Sequence, residues 1–98
     1  MKPEKRGQLS LEAAGELAAT GLMFVAEDPE HLNRFLALTG LAPHMLRAAS
    51  AEPGFLAGVL DYFLGHEPTL LAFAAYANVP PTDVAAARRV LAPEDDGL

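Results

Sequence analysis

The sequence predicts an all-α fold: a compact bundle of about five to six short helices around a central apolar helix, with two similar helix-turn-helix corners. Three observations predict it. Five prolines, Pro29, Pro43, Pro53, Pro68 and Pro81, each open an apolar run at helical spacing. Proline suits the first helical position, where its missing N–H would be unpaired and its φ is already helical. No sustained period-2 alternation marks a strand. Two segments 38 residues apart also share one pattern of helix, stop, apolar residue and proline. Apolar residues make up 51% of the chain, enough for one packed core in a domain this small. The domain is expected over residues 9–92. A flexible basic tail is expected at 1–8 and an acidic one at 93–98.

The first helix is expected from Ser10 to about Ala26. Ser10 is the N-cap, Glu12 complements the helix dipole, and the main stripe is Leu11, Ala14, Ala18, Leu22 and Val25. The second runs from the cap Asp28 through Pro29 to Thr39, with Leu32, Phe35, Leu36 and Thr39 on one face. Gly40 ends it in the left-handed conformation. A short third helix spans Pro43 to about Ala49 and carries Leu46. The fourth runs from Pro53 to Leu64 and stops at Gly65. Apolar side chains cover nearly all its faces and Asp61 is its only charge, so it belongs at the centre. Gly54, Ala57 and Gly58 suggest that a neighbour approaches it closely. The fifth helix runs from Pro68 to Ala77 and stops at Asn78. The sixth runs from Pro81 to Leu91, with Pro93 beyond it.

Shifting the chain by 38 residues places Leu32 on Leu70, Phe35 on Phe73, Ala37 on Ala75, Pro43 on Pro81, and Ala48-Ala49 on Ala86-Ala87. Gly40 falls on Asn78, and these are the two residue types that most readily end a helix with positive φ. Leu41 and Val79 follow them and can pack back on the last turn. Leu46 and Val84 then close each corner.

Composition excludes several functions. The chain has no Cys, hence no disulfide, thiolate metal site or Cys nucleophile. No apolar run approaches the roughly 20 residues needed to span a bilayer. Glu12 and Glu16 break what a signal-peptide core would require. A soluble, cytoplasmic protein is expected. The formal net charge of −6 disfavours nucleic acid and anionic membrane alike. The second corner, Ala74 to Val84, does resemble a repressor helix-turn-helix. Its base-reading positions, however, hold Pro81, Thr82 and Asp83. Under a nucleic-acid alternative the contacts would be Thr82, Arg88 and Arg89.

Catalytic signals are sparse. His31, His44 and His66 lack the i, i+4 spacing of a helical metal site. Ser10 and Ser50 fit caps or turns, and no Gly-rich loop has phosphate-cradle spacing. Asp61 is the candidate functional carboxylate, because a lone carboxylate on an apolar helix is costly to bury unpaired. It either serves as a base or ligand anchor, or snorkels to the edge of the bundle, or meets Arg34, Arg47 or a helix N-terminus structurally. No cofactor and no metal are expected, and no enzyme.

Ala26-Glu27-Asp28-Pro29-Glu30, Arg34 through Leu41, and Val59-Leu60-Asp61-Tyr62-Phe63-Leu64 together resemble a family of bacterial proteins, the domain of unknown function 3572. The resemblance covers Glu27 to Leu91, and the first helix less sharply. It implies an all-helical cytoplasmic protein and assigns no site. The leading expectation is a helical interaction module with an unidentified protein partner or self-association. It rests on large apolar residues beyond what one central helix hides: Leu17, Met23, Phe24, Leu38, Leu71 and Tyr76. A pocket joining Asp61 to a His would point to chemistry instead. The acidic balance yields one expected outcome. In a gel-shift titration the chain shows no salt-sensitive binding to duplex DNA, and tight binding that weakens with salt reverses that expectation.

Overall fold

The computed structural model describes residues 9–93. They form α1 (Leu11–Ala26), α2 (Pro29–Thr39), a 3-10 turn (Pro43–Met45), α3 (Leu46–Ala49), α4 (Pro53–Leu64), α5 (Glu67–Ala77) and α6 (Pro81–Leu91), with no strand among them. The expected tails at 1–8 and, past Pro93, at the other end lie outside the described residues.

Local chemistry sets the boundaries. Ser10 Oγ accepts the Ala13 N–H at 2.9 Å. Asp28 Oδ1 accepts the Glu30 N–H at 2.9 Å. Each relieves an unpaired donor of a helix's first turn. Proline occupies the first or second position of α2, the 3-10 turn, α4, α5 and α6. Gly40 (φ +76°) and Asn78 (φ +60°) both adopt the left-handed conformation. The Val79 N–H then reaches back to the Ala74 carbonyl at 3.0 Å, closing the α5 C-terminus.

The repeat is one of corners and not of whole hairpins. Phe35 and Phe73 are both buried, as their equivalence requires. Past the corner the copies diverge. The first continues as the 3-10 turn and a single turn of α3. The second continues as the full helix α6, which lies against α1 and α4. Ala86 and Ala87 are therefore buried, while Ala48 is exposed and Ala49 half-buried.

Helices α1, α4 and α6 pack mutually and α5 closes against all three, while α2 leans on α1. Ala57, Val59, Leu60 and Phe63 of α4 are buried, so this helix is central as its composition predicts. The close approach is not made at Gly54 or Gly58, where a Cβ would meet nothing within 4 Å. It is made at Gly21 of α1. A Cβ there would lie 2.8 Å from Phe63 Cε2 and 3.2 Å from Val59 Cγ1. Phe63 stacks on Phe73 with centroids 4.2 Å apart and planes 10° apart. Phe24 turns its ring against both, at 5.7 and 5.8 Å. The buried stripe of α1 is accordingly Ala14, Leu17, Ala18, Gly21 and Val25. Leu11 is 61% exposed and does not belong to it. Of the apolar residues in apparent surplus, Leu17 is buried and Phe24 half-buried. Met23, Leu38, Leu71 and Tyr76 stay exposed.

Tyr76 ties α5 to the end of α1, donating its hydroxyl to Glu27 Oε2 at 3.3 Å. Desolvation, then the Glu27 charge and this hydrogen bond, raise the Tyr76 pKa above its usual 10.0. The tie is therefore intact below pH 10 and is lost as pH rises through the raised value.

The two glycines give opposite expected outcomes. Gly58→Ala gains helix propensity with no clash and stabilises by about 0.5–1 kcal/mol. Gly21→Ala gains the same propensity but drives a methyl into a ring held in a stack. It destabilises by about 1 kcal/mol net, because overpacking costs about 1–3 kcal/mol. Urea melts of the two variants separate the terms, and equal shifts would mean that Phe63 moves freely.

Candidate functional site

Asp61 stands on the outer side of α4, and its partner is neither Arg34, Arg47 nor a helix N-terminus. Arg88 of α6 reaches it, Nε to Oδ1 at 2.9 Å and Nη2 to Oδ2 at 3.3 Å. Arg88 Nη1 also donates to the Ala92 carbonyl at 3.3 Å, so one guanidinium joins α4 to the end of α6. The side chains are 50% and 33% exposed. That places the pair in the regime worth about 0.2–1 kcal/mol, despite its two-point geometry. Arg34, Arg47, Arg88 and Arg89 all follow the first helix, and nothing local in the sequence singles out Arg88 among them.

A groove opens beside this pair, between α2 and α4. Few backbone contacts join the two helices; aromatic rings bridge them instead. Phe35 meets Tyr62 edge-on at 5.6 Å and Phe55 at 5.8 Å. The Tyr62 hydroxyl and His31 Nδ1 share a hydrogen bond of 2.7 Å. Above these rings lie two adjoining hollows that share Leu38, Asp61 and Tyr62. One, of about 300 Å³, is completed by Arg34 of α2 and by Gly65, His66 and Thr69 at the start of α5. The other, of about 270 Å³, is completed by Phe35, Thr39 and Gly58. Leu38 is 70% exposed at the rim.

Asp61 and His66 thus line one hollow, a juxtaposition that the sequence did not reveal. Three of their polar atoms already have partners. Both Asp61 oxygens bind Arg88, and His66 Nδ1 bonds Thr69 Oγ1 at 2.7 Å across the first turn of α5. No hydrogen bond joins Asp61 to His66 among the described residues. Arg34 has no carboxylate within 4.0 Å among the described residues. No group of three or more His, Asp or Glu that could hold a metal occurs among those residues either.

The nucleic-acid alternative named Thr82, Arg88 and Arg89. Thr82 and Arg89 are exposed on α6, two turns apart and thus about 10 Å along its axis. Arg88 turns away from them to Asp61. The inner face of α6 is buried through Val84, Ala86, Ala87 and Leu91. No helix among the described residues is long and apolar enough to cross a membrane.

Asp61→Asn is expected to lower stability by no more than about 1 kcal/mol, and by less in high salt, where a half-exposed pair is screened. Urea unfolding at two salt concentrations measures this. A large loss that ignores salt would give Asp61 a buried role instead.

No curated protein and no solved structure matches the chain. Residues 11–94 match the family described as "Protein of unknown function (DUF3572)". That span includes α1 through α6 and both walls of the groove, and the chain belongs to this family.

Proposed function

We propose that the chain is a non-enzymatic helical interaction module of the bacterial cytoplasm, and that it seats a segment of a partner protein in the α2–α4 groove. The observation that carries this is the pairing of exposed Leu38 with open space over Gly58, on a floor of Tyr62 and Phe35. A large apolar side chain and bare helix backbone side by side offer contact area at little desolvation cost. Size supports a side-chain seat over a substrate pocket. Hollows of about 300 and 270 Å³ sit at the floor of the roughly 300–1,000 Å³ range of small-molecule sites. Amphipathic segments lying in apolar grooves are a recurrent mode of protein recognition. Asp61 and His66 at the groove are engaged with Arg88 and Thr69, which suits a docking wall better than a reaction centre.

The test is paired capture from the native host on wild-type protein and on Gly58→Leu, followed by mass spectrometry. The added side chain fills the second hollow without touching the core, and an unchanged melting temperature checks this. Leu38→Asp, at a rim position, serves as an independent second variant. A partner held by wild-type protein and lost from both variants is the expected result. A partner held equally by all three removes the groove from the function, and no partner at all removes the module.

A further inference from the structure

The groove is uneven in charge, and this bears on what it accepts. Besides Tyr62, whose hydroxyl is bonded to His31, three ionisable side chains line its larger hollow: Arg34, Asp61 and His66. Asp61 is matched by Arg88 at two points. His66 is bonded through Nδ1 to Thr69. Arg34 alone stands without a carboxylate or hydrogen-bond partner among the described residues, although Glu30 lies one turn earlier on the same helix. The chain as a whole carries −6, yet the groove presents an uncompensated guanidinium one turn from exposed Leu38. Residues four apart share a helix face, so both can meet one ligand segment.

Resting on the groove as docking site, we propose that its occupant is an acidic amphipathic segment of another protein, placing a carboxylate on Arg34 and an adjacent apolar side chain over Leu38, Tyr62 and Gly58. A guanidinium binds carboxylate through a planar fork, so the contact adds direction as well as attraction. Asp61 is already matched by Arg88, so Arg34 is the groove's available cation and the acidic group lies toward α2. A basic segment would find Asp61 already claimed and Arg34 repelling it.

The experiment is selection of a random peptide library displayed on phage against the full-length chain, with counter-selection on Gly58→Leu. The recovered peptides are synthesised and titrated against wild-type protein, Arg34→Gln and Arg34→Lys. Expected are peptides with Asp or Glu flanked by apolar residues. Their affinity should drop about tenfold with Arg34→Gln, recover in part with Arg34→Lys, and fall as salt rises. Peptides that bind the groove without an acidic residue, or equally well to Arg34→Gln, overturn the charge assignment and leave the groove standing. Failure to enrich anything over the filled variant overturns the groove itself, and the inference with it. A concentration-dependent dimer in sedimentation that Gly58→Leu dissociates makes a second copy the occupant, and that too overturns the proposal.

Discussion

The absence of a side chain at Gly21 sets how closely α1 can lie on α4. Phe63 fills the space where a Cβ would stand, and the rest of the core is arranged around that ring. Phe73 stacks on its free face, which fixes the position of α5. Phe24 closes its edge, which brings the last turns of α1 into the same cluster. Interlocked rings tolerate little change in volume, because interiors pack at crystal-like density and shift only in concert. The hydrophobic patterning of the other helices supplies burial, but the Gly21–Phe63 contact supplies the register in which they are buried.

That dependence explains which parts of the structure were legible in the sequence. Caps and stops are local, so Ser10, Asp28, Gly40 and Asn78 could be assigned from their neighbours alone. The all-helical class and the central place of α4 follow from composition along single segments. Contacts between distant segments were not legible. Gly54 and Gly58 have the spacing of a close-packing motif, whereas Gly21 has no motif around it at all. A glycine matters for what lies opposite it, and only the folded chain says what that is. The same holds for Asp61. Its isolation on an apolar helix singled it out, but Arg88 sits 27 residues away and is brought up by the corner at Asn78. The groove was least legible of all. It is a gap between α2 and α4, and a gap leaves no signature in either strip of sequence.

The two like corners show how equivalent local geometry leads to different global outcomes. Each ends a helix with positive φ and turns the chain through a proline. The second corner delivers its following helix onto α1 and α4, where an eleven-residue face can be buried. The first delivers its chain to the periphery, and one helical turn is all that forms. Helix length here follows from the surface available to cover, since a short helix without tertiary packing is marginal in water.

One consequence concerns α2. Among its residues only Phe35 is buried, and its link to α4 runs through ring edges and one hydrogen bond between His31 and Tyr62. The remainder of the bundle is held by the interlocked core. Native proteins open in cooperative units whose free energies track how much each unit buries. After the peripheral 3-10 turn and α3, which bury no residue, α2 is the element that buries least, so its backbone amides are expected to exchange with solvent before those of α4 and α6. A segment seated between α2 and α4 would add burial to an element that has little of its own.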